Sequence, residues 1–112
     1  MKRNYLGEFE ELVLLTVTIL HPGAYGAAIS DEMQEQTGRS VSISAVHAAL
    51  QRLEEKGMLS SAFGEATQER GGRRKRLFAV TTLGSQTLQS VRDMRSKLWE
   101  SIISKDLLVR GI

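Results

Sequence analysis

The 112-residue chain contains no cysteine. Disulfides, zinc fingers, iron–sulfur clusters and a thiol nucleophile are therefore excluded. Two histidines, His21 and His47, leave almost no scope for a histidine-rich metal site, and no metal or cofactor is expected. The longest apolar-leaning run, Leu12 to Leu20, is nine residues long and holds two threonines, far short of the ~20 residues that span a bilayer. Glu8, Glu10 and Glu11 stand where a signal peptide would be basic and then apolar, so a cytoplasmic protein is expected. Hydrophobic residues make up 41% and charged residues 25% of the chain, which fits one small globular unit and neither a disordered polyelectrolyte nor a membrane protein.

Charge is plentiful but unevenly placed. The net charge is +2 from 15 basic and 13 acidic residues. Five of the basic residues, Arg70, Arg73, Arg74, Lys75 and Arg76, fall within seven positions. Outside them 10 basic residues face 13 acidic ones, a sum of −3, so the basicity is local. Arginine forks around Gly71 and Gly72 suit phosphate oxygens; a merely solvated loop is the alternative.

Leu6, Phe9, Val13, Val17 and Leu20 recur at spacings of three and four, predicting a first helix over 6–20 with a buried stripe. Leu12, Leu14, Leu15 and Ile19 widen that stripe, as if a second chain covered part of it. The only proline, Pro22, marks a turn between His21 and Gly23. A second helix follows, with Tyr25, Ala28, Ile29 and Met33 inward, Asp31, Glu32 and Glu35 outward, and Gly38 as its left-handed cap. Ser42 is placed to cap a third helix whose predicted core stripe is Ile43, Val46, Leu50 and Leu53, closed by Gly57. The opposite edge carries Ser44, His47, Ala48 and Gln51 with no acidic residue, the composition of a surface meant for base edges and phosphates. Arg39 and Arg52 are candidates to flank it, although Arg52 has Glu55, Glu8 and Glu10 as alternative partners.

Short apolar runs at 58–64 and 75–81 then predict a two-stranded hairpin, and the 65–74 segment between them carries most of the basic cluster. Three helices followed by a basic hairpin is the layout of a winged helix-turn-helix. Thr81 is a predicted N-cap for a last helix running from Thr82 to about Leu108 with Gly84 in its first turn. Leu88, Val91, Met94, Leu98, Trp99, Ile102, Ile103 and Leu107 form its apolar stripe. A domain this small cannot cover such a stripe, so a seam with a second copy is expected. The fold class is thus mainly α with a small β-hairpin: residues 1–81 a DNA-binding winged helix-turn-helix, residues 82–112 a dimerisation helix.

Five segments in this order, LGEFE at 6–10, AYG at 24–26, ISAVHAALQRLEEKG at 43–57, GGRRKRLF at 71–78 and VTTLG at 80–84, resemble the PadR family of transcriptional regulators in its short form. The resemblance spans nearly the whole chain. It implies a homodimeric repressor on a palindromic operator, with the third helix in the major groove and the wing toward the backbone or minor groove. It assigns DNA contacts to Ser42, Ser44, His47, Ala48, Gln51, Arg39, Arg52, Arg73, Arg74, Lys75 and Arg76. Dimer contacts fall to Leu6, Phe9 and Val13 of the first helix and to Leu88, Val91, Met94, Leu98, Trp99, Ile102 and Ile103 of the last. Trp99 is also the candidate for a small aromatic effector, with simple packing as its alternative. His47 departs from the tyrosine common in the family, which weakens the phosphate contact expected there. The rival to specific DNA binding is a winged-helix protein-interaction module. An enzyme is not expected, because Ser44 and His47 share an exposed helix face with Gln51, and not a carboxylate, at the next turn.

Overall fold

The computed structural model describes residues 6–64 and 74–105. Three helices, α1 (Glu8–Leu20), α2 (Gly26–Thr37) and α3 (Ile43–Glu55), precede a hairpin of β1 (Leu59–Phe63) and β2 (Arg76–Val80), and α4 (Thr82–Ser104) completes the chain order. Arg70, Gly71, Gly72 and Arg73 of the basic cluster, and Leu107 and Leu108 of the last predicted helix, lie outside the described residues.

Helices α1, α3 and α4 begin where the sequence offers an acceptor near the helix start, whereas α2 starts after Tyr25 without a side-chain cap. Glu8, Glu10 and Glu11 crowd the first turn of α1, favourable against the positive end of its dipole. The Glu10 carboxylate reaches back to accept from the Gly7 N–H at 3.2 Å. Helix α1 starts at Glu8, so Leu6 precedes the helix and packs half-buried against the core. The Ser42 hydroxyl accepts from the Ala45 N–H at 3.1 Å, and Thr81 does the same for Gly84 at 3.1 Å. Helix α2 ends at Gly38 with φ of 72°, its N–H bonded to the Gln34 carbonyl.

The core lies where α1, α2, α3 and the hairpin meet. Val13, Leu14 and Val17 of α1 face Ile29 and Met33 of α2 and Val46, Ala49, Leu50 and Leu53 of α3. Met58, Leu59 and Phe78 close it from the hairpin side. Two expectations need correction. Ile43, predicted to be core, is 46% exposed: as the first residue of α3 it lines an open groove beside the start of α2 and is not covered by the core. Val13, assigned to a dimer contact, is 0% exposed: it lies one turn before Val17 on the face that α1 turns into its own core.

The antiparallel hairpin pairs Leu59 with Val80 and Phe63 with Arg76. Its second strand is held on the other edge as well, by the Phe78 N–H donating to the Ala24 carbonyl at 2.8 Å. The first turn of α4 is fastened to the body by backbone contacts, and further along Leu88 packs against the core and Arg95 pairs with Glu11 of α1. The Thr81 hydroxyl donates to the Gly57 carbonyl at 2.6 Å and the Thr81 N–H to the Met58 carbonyl at 3.0 Å. Gly84 is the only fully buried residue of α4 among those described. A Cβ there would run into the Met58 carbonyl oxygen and lie 2.8 Å from Val80 Cγ1, so glycine alone permits this approach. Beyond it, Met94, Leu98, Trp99 and Ile103 are 53–59% exposed.

Gly84→Ala is therefore expected to destabilise the domain by about 2–3 kcal/mol through overpacking against backbone. Gly38→Ala, which meets open space and only a left-handed φ, should cost about 1 kcal/mol. Urea midpoints of the two variants check the order, and equal midpoints would refute the packing argument.

Candidate nucleic-acid interface

One face of α3 is consumed by the core, which leaves Ser44, His47, Ala48 and Gln51 together on the exposed side. Gln51 makes only a long contact, 3.5 Å, to Glu55. His47 lies against the start of α2, where a side chain on Gly26 would sit 2.6 Å from the imidazole Cε1. The absence of a side chain at Gly26 is what admits the histidine ring. Together α3, the start of α2 and β2 enclose a groove of about 670 Å³, lined among others by Tyr25, His47, Gln51, Lys75 and Arg76. Ile43 borders it too, a use for its exposed side chain that the core-stripe expectation missed.

The structure divides the predicted cations into two groups. Arg39 is engaged on both terminal nitrogens by the Glu8 carboxylate, with shortest distances of 3.0 Å. Arg52 takes Glu10 from its alternatives, donating from Nε at 2.8 Å. Arg76 pairs with Glu54 at 2.9 Å and lies 5.5 Å from the Phe78 ring centroid. Lys75 instead rests its ammonium 4.2 Å from the centre of the Tyr25 ring, a contact that leaves its charge unneutralised. Arg74 is exposed, and among the described residues neither it nor Lys75 has a carboxylate within ion-pair distance. Tyr25 and Glu54 were the partners that sequence reasoning did not assign. Tyr25 carries the signal of an aromatic beside a helix start, but its cation arrives from fifty residues away.

The anchor of α3 is Glu10. Its carboxylate, buried in the joint between α1 and α3, accepts from Lys56 Nζ at 2.6 Å, from Arg52 Nε and from the Gly7 N–H. Burial by itself raises its pKa, but the hydrogen bonds from Lys56, Arg52 and Gly7, with the Lys56 charge, outweigh it and hold the carboxyl below its ordinary value of 4.5.

Near the other end of the molecule, Trp99 of α4 is 53% exposed and borders a groove of about 350 Å³ shared with Leu15, Leu88, Arg92 and Arg95. Arg95 is held there by Glu11 of α1 at 2.8 Å. Among the described residues no helix is long and apolar enough to cross a membrane.

A three-helix core, a hairpin packed on the end of α3 and an exposed outer face on that helix define a winged helix-turn-helix protein. The profile of the Transcriptional regulator PadR-like family matches residues 14–90, more than half of the chain, and the chain belongs to that family of transcription regulators. The fold is similar to that of a PadR-like transcriptional regulator from Bacillus cereus, with TM-score 0.71 and 15% identity over 93% of each chain. It is also similar to a PadR family transcriptional regulator from Eggerthella lenta, with TM-score 0.66 and 23% identity over 93% of this chain and 88% of that one. A PadR family transcription regulator from Clostridium difficile gives TM-score 0.61 and 22% identity over 89% of this chain and 98% of that one. No curated protein matches the chain.

Since the folded pKa of Glu10 lies below that of the unfolded chain, its contribution to stability is complete above pH 4.5 and is lost as the pH falls through the lower folded value. Urea midpoints of the parent should therefore drop more steeply on acidification than those of Glu10→Gln. At neutral pH the variant should be weaker by about 1–3 kcal/mol. Parallel pH profiles would show that Glu10 does not carry this linkage.

Proposed function

We propose that the chain represses transcription by binding a palindromic operator as a homodimer, with α3 in the major groove and the wing on the flanking backbone. The observation that carries this reading is the outer edge of α3, which is acid-free at Ser44, His47, Ala48 and Gln51 and spared from the core. Lys75, which lines the groove, and Arg74, its neighbour in the chain, have no carboxylate partner among the described residues. In this reading Gln51, Ser44 and His47 discriminate among base edges, whereas Arg74, Lys75 and Arg73 supply salt-sensitive attraction to phosphates. Ser42 and Ala48 adjoin the same edge. Arg39 and Arg52 serve it indirectly, as ion-pair partners of α1.

Titration of duplex DNA from upstream of the protein's own gene against scrambled duplex, over a salt series, tests the reading. A preference of about 10³-fold that survives near-physiological salt is expected. Arg74→Ala should weaken both duplexes and flatten the salt slope by about one unit, while Gln51→Ala should narrow the gap between them by about 1–3 kcal/mol. Weak, equal binding that vanishes with salt would favour a protein-interaction module.

The proposed dimer surface comprises Leu6 just before α1 and Phe9 in its first turn, together with Leu88, Val91 and Ile102 and the exposed Met94, Leu98, Trp99 and Ile103 of α4. Sedimentation should give twice the 12.4 kDa chain mass, and Leu98→Glu should return the monomer. A parent that sediments as a monomer would refute the pairing. An aromatic effector in the Trp99 groove should quench the single tryptophan in the parent and leave Trp99→Phe silent.

A further inference from the structure

Arg76, the last cation of the basic cluster and the first residue of β2, is engaged by side chains of its own domain. Arg76 Nη2 donates to Glu54 Oε1 at 2.9 Å, and Arg76 Nε donates to the Ser61 hydroxyl at 2.9 Å. That hydroxyl donates in turn to Glu54 Oε2 at 2.6 Å. The three side chains close a ring across α3, β1 and β2, and the guanidinium also lies over the buried Phe78 ring. Two of the three guanidinium nitrogens are thereby committed. Ser61 stands opposite Phe78 in the hairpin register, so the ring fastens both strands to the last turn of α3.

We propose that Glu54 is a positioning residue for DNA recognition: through Ser61 and Arg76 it fixes the angle between the wing and α3, and Arg76 acts as a strut and not as a phosphate contact. The inference rests on the DNA-binding reading above and adds a specificity determinant to it. A duplex presents its groove edges and backbone at fixed spacing. A wing clamped to α3 therefore offers base readout and phosphate contact in one register, whereas an unclamped wing meets any backbone nearly as well. Two opposite expectations follow for neighbouring charges. Removing Arg74 takes away a phosphate contact, while removing Arg76 takes away alignment.

The test uses the full chain, a duplex that it selects from a random-sequence pool, and a mixed-sequence duplex, each titrated over a salt series. Arg76→Gln should keep the parent salt slope while the selected-to-mixed affinity ratio falls about threefold to tenfold, the scale of one charge-assisted interaction. Glu54→Gln should lower the ratio similarly but tighten binding to mixed DNA, with a slope steeper by about one as the released guanidinium finds a phosphate. The double variant should lose no more of the ratio than either single one, because both remove the same ring. Ser61→Ala, which changes no charge, should lower the ratio at constant slope and serves where a charge variant fails to fold. A slope reduced by about one in Arg76→Gln with an unchanged ratio would overturn the strut, as would additive losses in the double variant. A parent that selects no duplex would remove the DNA-binding reading and the strut with it.

Discussion

The placement of α3 and its exposed face depends on one buried carboxylate. Glu10 gathers an amide from the turn before α1, a guanidinium from the middle of the last α3 turns and an ammonium from the residue that ends α3. A carboxylate removed from water is unfavourable without full hydrogen bonding. Here three donors meet it, two of them cationic, and the arrangement is stable only while α1 and α3 keep their present crossing. The apolar contacts of Val13, Leu14, Leu50 and Leu53 supply most of the burial, but they are non-directional and tolerate small slides. The Glu10 site does not, and so it fixes where along α1 the end of α3 must lie.

The same logic accounts for the distribution of positive charge. Glu8, Glu10 and Glu54 each pair with a cation from another part of the chain, Arg39, Arg52 and Arg76, so three of the arginines near α3 link one element to another. Among the described residues of the basic cluster, Arg74 and Lys75, just before the second strand, have no carboxylate partner, and Lys75 rests on the Tyr25 ring. Counting arginines along the chain overstates the electrostatic footprint and understates the rigidity of the frame.

Much of the fold could be read in the sequence because its determinants are local. The caps at Ser42 and Thr81, the left-handed Gly38 and the change of hydrophobic period after Gly57 each act within a few residues of themselves. The outer edge of α3 was legible for the same reason, since helical spacing separates it from Val46, Leu50 and Leu53. Ile43 was misplaced because spacing groups it with Val46 and Leu50, and periodicity does not show that the first residue of the helix borders an open groove. Val13 was misassigned because an apolar stripe on α1 does not reveal which part its own chain covers. Arg39, Arg76 and Glu54 were hardest, for their partners lie 31 and 22 residues away and are chosen by tertiary packing alone.

The junction at Thr81 makes α4 a lever with a very short inner arm. Its 23 residues extend about 35 Å at 1.5 Å per residue, while its fulcrum is the tight seat of Gly84 on Met58, one residue past the turn that closes α3. No slack is present there to absorb a tilt: the Thr81 side chain and amide are both bonded to Gly57 and Met58. A sideways travel of about 3 Å at the outer tip corresponds to about 5° at the fulcrum. The far end of α4 is thus where a given force has its largest moment about the junction with the end of α3, within the restraint set by the Arg95–Glu11 pair.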